Sequence, residues 1–248
     1  MQDFYYKINK AKDWALNNDI KKFFSTFREN CPIYNFLYDE SNGKPKREDA
    51  KLLDIARGYN LGLSLRFIKR GKSQLGYSRP PRPLDTTEIR HIMMCTFLFT
   101  NLGKNFNHIV EIGGGFGNWS RLCEGIIKFE KWTIIDIPHV IELQKWFLKK
   151  ELKDNFNKIE FISTDDYVDW KKSFECADLT IAAHTLSLFD YLPFLDYYHN
   201  VVRKSNYLFL AADESMIPEK LKKINEDFSP MGTLYSEEKK VSNTLFKK

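Results

Sequence analysis

Three alternating glycines and two acidic residues form a pattern that suits the binding of a nucleoside. Gly113, Gly115 and Gly117 follow a short apolar run directly, Glu111 lies within that run, and Asp136 closes the next one. Glycine lets the backbone turn sharply and approach a bound molecule that side chains would otherwise hold away. A carboxylate offers two acceptor oxygens, which suits the vicinal hydroxyls of a ribose. The pattern therefore predicts a strand, a tight turn and a helix start at which a nucleoside binds.

The spacing of these glycines fits neither of two common phosphate-binding turns. A dinucleotide fold prefers Gly-x-Gly-x-x-Gly, and the sixth position counted from Gly113 is Asn118. A phosphate loop places Lys directly after its last glycine, whereas Asn118 follows Gly117. The turn is therefore expected to bind its nucleoside in another way.

The pattern Glu111-x-Gly113-x-Gly115-x-Gly117, with Asp136 after the next run, resembles the class I S-adenosylmethionine (SAM) methyltransferases. The resemblance implies that SAM is the cofactor and that the glycine turn passes beneath it. It also implies that Glu111 lies at the amino-acid end of the cofactor and that Asp136 binds the ribose. An oxidoreductase that uses NAD is the alternative, because glycine-rich strand-to-helix turns are shared between these folds.

Further polar residues follow the later apolar runs, where an open α/β sheet binds its ligands. Asp165 or Asp166 follows the third run and is a candidate acceptor for the exocyclic amine of an adenine, although either could instead cap a helix. His184 follows the fourth run. Imidazole titrates near neutral pH, so His184 is the candidate base that removes a proton from an acceptor oxygen. The alternative is a loop histidine that bonds a backbone carbonyl.

Three segments resemble a family of sugar O-methyltransferases that is largely defined by sequence. They are Val110-Glu-Ile-Gly-Gly-Gly-Phe-Gly117, Ile134-Ile-Asp-Ile-Pro138 followed by Leu143-Gln144, and Ala183-His-Thr-Leu-Ser187. The family often continues with an acid and Met, whereas this chain has Leu188 and Phe189. The resemblance covers roughly residues 85 to 211. It implies an acceptor oxygen on a sugar of a surface glycan, in capsule or lipopolysaccharide, or on its activated precursor.

A proline-rich segment carries the candidate residues for binding the acceptor. Arg79, Arg82 and Tyr77 lie between Gly71 and Leu84, where three prolines favour an extended loop. Guanidinium groups suit phosphate, so the loop is expected to contact a phosphorylated acceptor or to remain a solvated loop. If the arginines bind, a phosphoryl-type oxygen on a precursor of a capsule modification is an alternative methylation site.

The elements that position these residues form an α/β pattern. From His108 onward, short apolar runs alternate with amphipathic segments, which predicts a Rossmann-like, doubly wound, mainly parallel sheet. The predicted strands are Ile109 to Ile112, Thr133 to Ile135, Ile159 to Ile162, Leu179 to Ala183 and Tyr207 to Ala211. A terminal antiparallel pair is weakly indicated at Gly232 to Tyr235 and Val241 to Phe246.

The predicted helices include an N-terminal helical cap. Residues 1 to about 70 have apolar positions spaced for one helix face, with a helix from about Glu48 to Ile68. The other predicted helices are Thr87 to Leu102, Asn118 to Lys128, Pro138 to Glu151, a short turn near Tyr167, and Tyr191 to Lys204. We therefore expect a cap and acceptor-side loop over 1–85 and a SAM-binding domain over 86–248.

The composition and net charge of the chain limit the classes of partner that it is expected to bind. The net charge is +5 in 248 residues, but Lys and Arg are dispersed among 33 acids, so no nucleic-acid partner is expected. The four cysteines form no C-x-x-C pair, which predicts no zinc site and no disulfide framework, and no metal is expected. The sequence shows neither a signal segment nor a membrane span, which predicts a cytoplasmic chain. The expected partner is a small-molecule or glycan-precursor acceptor. Whether it forms a homo-oligomer is left open.

Overall fold

A computed structural model describes residues 47–72, 84, 86–212, 216–236 and 241–248. Residues 1–46 of the predicted helical cap lie outside the described residues, as do Arg79, Arg82 and Tyr77. The chain divides into two compact units. One contains the described residues up to Gly103, together with Gly115–Ile126 and His139–Phe156, and is called the helical unit. The other contains Lys104–Gly114, Ile127–Pro138 and Asn157–Lys248, and is called the sheet unit.

The helical unit consists of amphipathic helices that bury their apolar sides. Its helices are α1 Arg47–Tyr59, α2 Leu61–Lys72, α3 Thr86–Leu102, α4 Asn118–Cys123 and α5 Pro138–Leu152. The single helix predicted from about Glu48 to Ile68 is two helices. Asn60 separates them, because its side-chain Oδ1 accepts a hydrogen bond from the backbone N–H of Leu63 at 3.0 Å and so caps α2.

An ion cluster holds three helices of this unit together. Arg121 of α4 is fully buried, and its Nη2 lies 3.0 Å from Glu88 Oε1 on α3. Its Nη1 lies 3.9 Å from Glu151 Oε2 on α5. Its Nε donates to Asn118 Oδ1 at 2.9 Å. A buried ion pair is tolerated only when its hydrogen-bonding groups are matched, and this cluster meets that condition.

The sheet unit is built on seven strands in the order β3-β2-β1-β4-β5-β7-β6. They are β1 Asn105–Ile112, β2 Lys128–Asp136, β3 Ile159–Ser163, β4 Ala177–Ala183, β5 Ser205–Ala212, β6 Ser229–Ser236 and β7 Val241–Lys247. The first five strands pair in parallel, and β7 pairs antiparallel with both β5 and β6. The predicted α/β sheet, including its terminal antiparallel pair, is confirmed.

Four helices accompany these strands in the sheet unit. They are α6 Tyr167–Ser173, α7 Thr185–Leu188, α8 Tyr191–Asn200 and α9 Pro218–Asp227. Short 3-10 turns cover Lys153–Lys158 and Val202–Lys204. One face of the sheet packs through Val110, Ile112 and Leu208 against Phe194 and Tyr198 of α8. Successive residues of β4 and β5 are buried, so these strands are nearly continuous apolar runs, which is why the sequence pattern located them.

One predicted helix is shorter than its pattern suggested. The prediction extended it from Asn118 to Lys128, but α4 ends at Cys123 and β2 begins at Lys128. Glu124 has non-helical backbone angles (φ −55, ψ 130), and Gly125 follows with φ 72. Glycine adopts this left-handed conformation without steric cost, so the helix stops there. Among the described helices, none is long and apolar enough to cross a membrane.

Candidate functional site

Gly113 lies where the chain leaves β1, and only glycine fits there. Its backbone N–H donates to Ile135 O of β2 at 2.8 Å, and its φ is 75°. An ideal Cβ at this position would lie 1.9 Å from Thr185 Oγ1. Any side chain would therefore have to displace Thr185, while the left-handed φ adds backbone strain. Thr185 was not among the predicted site residues, because only the tertiary fold brings it to the glycine turn.

Glu111 is a buried acid that accepts a hydrogen bond from an indole. Its side chain is 2% exposed, and Trp132 Nε1 donates to its Oε2 at 2.9 Å. Burial raises the pKa of Glu111 to about 8, a rise that the Trp132 hydrogen bond opposes and the Asp136 carboxylate increases. Trp132 was missed by sequence reasoning. The available signal was the two-residue alternation that sets Trp132, Ile134 and Asp136 on one side of β2.

Asp136 ends β2 at the same edge of the sheet. It is half-buried, and its Oδ1 accepts from the backbone N–H of Ile137 at 2.8 Å. The carbonyl of Asp136 accepts from the backbone N–H of Thr164 at 2.9 Å, which ties the ends of β2 and β3 together. Burial raises the pKa of Tyr197 on α8, and the charge of Asp136 raises it further. Tyr197 is therefore within electrostatic range of Asp136, which the sequence did not reveal.

The two acids after β3 differ in their surroundings. Both side chains are exposed. Asp166 Oδ2 accepts from Ser163 Oγ at 2.6 Å, and Asp166 precedes α6 without making a side-chain cap bond. Its carboxylate is thus engaged in the local turn. Of the two residues, Asp165 is the better candidate for contact with a ligand.

His184 lies beyond β4 with an exposed side chain and a constrained backbone. Its φ is 64°, and its backbone N–H donates to Ala211 O of β5 at 2.7 Å. Its carbonyl accepts from Ser187 Oγ at 2.9 Å. A left-handed conformation costs a non-glycine residue about 1–2 kcal/mol. Such conformations persist where the surrounding structure imposes them, and they occur frequently at functional sites.

A buried lysine fixes the segment that follows His184. Lys220 of α9 is 2% exposed, and its Nζ donates to the carbonyls of Leu186 at 3.2 Å, Ser187 at 3.1 Å, and Phe189. These carbonyls belong to α7 and the residue after it, so the ammonium caps the end of that short helix. Sequence reasoning missed Lys220, because nothing local distinguishes it from the other lysines of α9.

The remaining predicted glycines belong to the helical unit. Gly115 has φ 57 and Gly117 has φ 90. Gln144 Nε2 of α5 donates to Gly115 O at 2.8 Å. An ideal Cβ on Gly117 would lie 2.7 Å from Leu148 Cδ1, so α4 begins in close contact with α5. Gly115 and Gly117 therefore both contribute to the packing of the turn and α4 against α5.

Comparison with solved structures identifies the fold. The strand order has β7 inserted antiparallel between β5 and β6. PH1948 of Pyrococcus horikoshii, a candidate RNA methyltransferase, is 15% identical and aligns with a TM-score of 0.50 over 76% of this chain and 95% of that chain. The methyltransferase domain of the bacterial protein CtHen1-C is 11% identical, with a TM-score of 0.50 over 64% of this chain and 97% of that domain. The chain has a methyltransferase fold. No family model and no curated protein matches its sequence.

The methyltransferase fold brings five of the predicted site residues to one edge of the sheet unit. Glu111, Gly113, Asp136 and His184 belong to the carboxyl ends of the three adjacent strands β2, β1 and β4. Asp165 follows the edge strand β3. Among the residues that the structure describes, no three His, Cys, Asp or Glu side chains are grouped so that they could hold a metal ion.

Proposed function

We propose that this chain is a SAM-dependent methyltransferase. The observation that carries the proposal is the carboxyl edge of the sheet, where the partly exposed Gly113 follows a strand that carries a buried acid, Glu111, and a half-buried acid, Asp136, ends the neighbouring strand. The two acids and the bare backbone match the three parts of an adenosyl amino acid. Its ammonium and sulfonium suit a carboxylate, its ribose diol suits a second carboxylate, and its body requires close approach of the backbone.

The residues of the site divide the binding task between them. Asp136 accepts hydrogen bonds from the ribose hydroxyls, and Asp165, more readily than Asp166, accepts from the adenine amine. The turn that leads to the ligand is formed by Gly113, Gly115 and Gly117, all of which have positive φ. When bound, SAM supplies a methyl group activated by its sulfonium. Glycine-rich turns also occur in folds that bind NAD. NAD is therefore the alternative ligand that an experiment must exclude.

The acceptor is an oxygen on a surface-glycan sugar or its activated precursor, with His184 as the base. The support is the likeness of Ala183 to Ser187 to the sugar O-methyltransferases, together with the exposed imidazole on a backbone fixed by Ala211. The imidazole accepts the proton of the sugar hydroxyl as the new bond forms, which raises the rate by correct alignment and by proton removal. On a phosphoryl-type oxygen the same histidine orients the acceptor instead.

Ligand-dependent melting tests the cofactor. SAM and S-adenosylhomocysteine are expected to raise the melting temperature, whereas NADH is not, because a ligand stabilises only the state that binds it. Replacement of Asp136 by Asn is expected to weaken SAM binding at least tenfold in calorimetry, since the ribose loses a charged acceptor. The control is Asp169→Asn on α6, whose carboxylate is exposed and bonds Lys172. Stabilisation by NADH alone would contradict the proposal.

Transfer of labelled methyl groups tests the acceptor. Nucleotide-sugars, phosphorylated sugars, capsule oligosaccharides and RNA are incubated with labelled SAM, and label is expected on a sugar compound. His184→Asn is expected to cut turnover by about 10²-fold with SAM affinity unchanged, because Asn tolerates the left-handed backbone but provides no base. His199→Asn, which replaces an exposed histidine at the end of α8, is the control. Label on RNA alone would reject the sugar acceptor, and full turnover by the His184→Asn protein would reject the base.

A further inference from the structure

The buried acids of this chain differ in whether a cation faces them. Glu88 and Glu151 share the guanidinium of Arg121. Glu111 is equally buried, yet among the described residues its hydrogen-bond partner is the neutral indole of Trp132, and no described side chain forms an ion pair with it. A buried carboxylate without a cation is costly, and such a group normally takes up a proton instead.

Glu160 on β3 shows how a similar acid behaves when a cation is present. Its Oε2 also accepts from an indole, Trp170 Nε1 at 3.2 Å, but Lys131 Nζ lies 2.9 Å from the same oxygen. Burial by itself would raise the pKa of Glu160, but bonds from Thr133 and Lys131 and the Lys131 charge hold it below its ordinary value. The two carboxyl–indole pairs differ in two respects, because Glu160 is partly exposed and has a cation beside it, whereas Glu111 is buried and has none among the described side chains.

The charged surroundings of Glu111 add to its preference for the neutral form. Its cross-strand neighbours are Ile134 on β2 and Ile181 on β4, both apolar and buried. The charge that acts on it among the described residues is that of Asp136, which is negative and disfavours a second carboxylate nearby. The Trp132 N–H is a donor that can serve either protonation state through Oε2.

We propose that Glu111 exchanges its proton for the positive charge of the cofactor: the free protein holds a neutral carboxylic acid, and binding of the cationic ligand converts it to a carboxylate. This inference rests on the proposed function and extends it. The O–H bond of Glu111 breaks, the proton leaves to solvent, and the carboxylate remains with the indole bond on one oxygen. The missing partner of the buried acid is thus supplied by the ligand.

The exchange has a definite pH dependence. Burial raises the pKa of Glu111 in the free protein to about 8, and a bound cation lowers it. Below that value each binding event releases about one proton, and the affinity for SAM rises about tenfold per pH unit between pH 6 and 7. Above pH 8 the acid is already ionised, so both effects fade. The ligand's own α-amino group stays charged at pH 6 to 7, because its ordinary pKa is about 7.7–8.0.

Calorimetry in buffers of different ionisation enthalpy measures the exchange. SAM is titrated into the protein at pH 6.5 in phosphate, PIPES and imidazole, and the slope of heat against buffer enthalpy gives the protons released. We expect about one for the unaltered protein and none for Glu111→Gln, whose amide keeps the Trp132 acceptor but has no proton to lose. Glu160→Gln, which removes the carboxylate that Lys131 contacts, is the matched control and retains the release.

The choice of ligand identifies the charge that displaces the proton. Of the cationic groups, SAM carries a sulfonium and an ammonium, S-adenosylhomocysteine carries only the ammonium, and 5′-methylthioadenosine carries neither; SAM and S-adenosylhomocysteine also share a carboxylate. Release with the first two assigns the ammonium, and release with SAM alone assigns the sulfonium. Release with 5′-methylthioadenosine would overturn the inference, as would SAM binding by the unaltered protein with no more release than Glu111→Gln. Failure of SAM to bind at all would instead refute the proposed function.

Discussion

At the scale of single residues, the site combines strain with burial. His184 holds a left-handed backbone that its neighbours on β5 and α7 impose, and Gly113 holds one that only glycine tolerates next to Thr185. Glu111 is a buried acid with which no described side chain forms an ion pair. The backbone of His184 and the burial of Glu111 each cost folding free energy, and such costs are retained where binding or catalysis uses them.

The buried acid makes stability depend on pH in a predictable direction. The pKa of Glu111 is about 8 in the folded protein, above its value of 4.5 in the unfolded chain, so the folded state binds the extra proton. The stability this proton contributes is present below pH 4.5 and is lost as pH rises through 8. Between these limits the loss is about 1.4 kcal/mol per pH unit at most.

Urea denaturation of the ligand-free protein at pH 5, 6, 7 and 8 tests this direction. The Glu111→Gln protein is expected to gain stability relative to the unaltered protein as pH rises, because its amide does not ionise. The Glu160→Gln protein serves as the control, since the low pKa of Glu160 leaves it ionised throughout this range. A constant difference in stability between the Glu111→Gln protein and the unaltered protein would show that Glu111 does not hold a proton.

At the scale of elements, α9 supports α7 through one ammonium group. Lys220→Met is expected to lower the free energy of unfolding by about 3 kcal/mol, because two buried carbonyls and one partly buried carbonyl lose their donor. Lys222→Met, on the exposed side of the same helix, is the control and should change it by less than about 0.5 kcal/mol. Denaturation in urea measures both. Equal effects of the two substitutions would mean that the capping contact contributes little.

At the scale of the whole molecule, β7 is an interior strand although it lies at the end of the sequence. It pairs with β5 on one side and β6 on the other, and its Leu245 and Phe246 are buried. A chain ending at residue 240 is therefore expected to be insoluble or unfolded, because both neighbours lose their backbone partners. Circular dichroism and solubility measure this outcome. A chain lacking only Lys248 is the control, and a folded 240-residue chain would contradict the assigned strand order.

The predicted division of the chain into a cap and a SAM-binding domain can be compared with the observed helices and strands. The expected cap and acceptor-side loop over 1–85 and SAM-binding domain over 86–248 stay a prediction. Helices α1 and α2 fall in the first part, and α3 with all seven strands falls in the second. The acceptor loop with Arg79, Arg82 and Tyr77 likewise stays a prediction.

The sequence by itself determined the strands, the glycine turn and the acids that follow the strands. Parallel strands covered on both faces must be apolar runs, and groups placed just after them must meet at the carboxyl edge of the sheet. Those are local patterns, and Glu111, Gly113, Asp136 and His184 could be selected from them.

The tertiary structure alone decided the contacts that give these residues their properties. Trp132 bonds Glu111, Thr185 fills the space beside Gly113, and Lys220 reaches the end of α7, across separations of 21 and more residues. Local patterns specify which face a residue occupies, but not which side chain of another element meets it. That choice depends on strand register and helix placement, which arise only when the whole apolar surface packs at once.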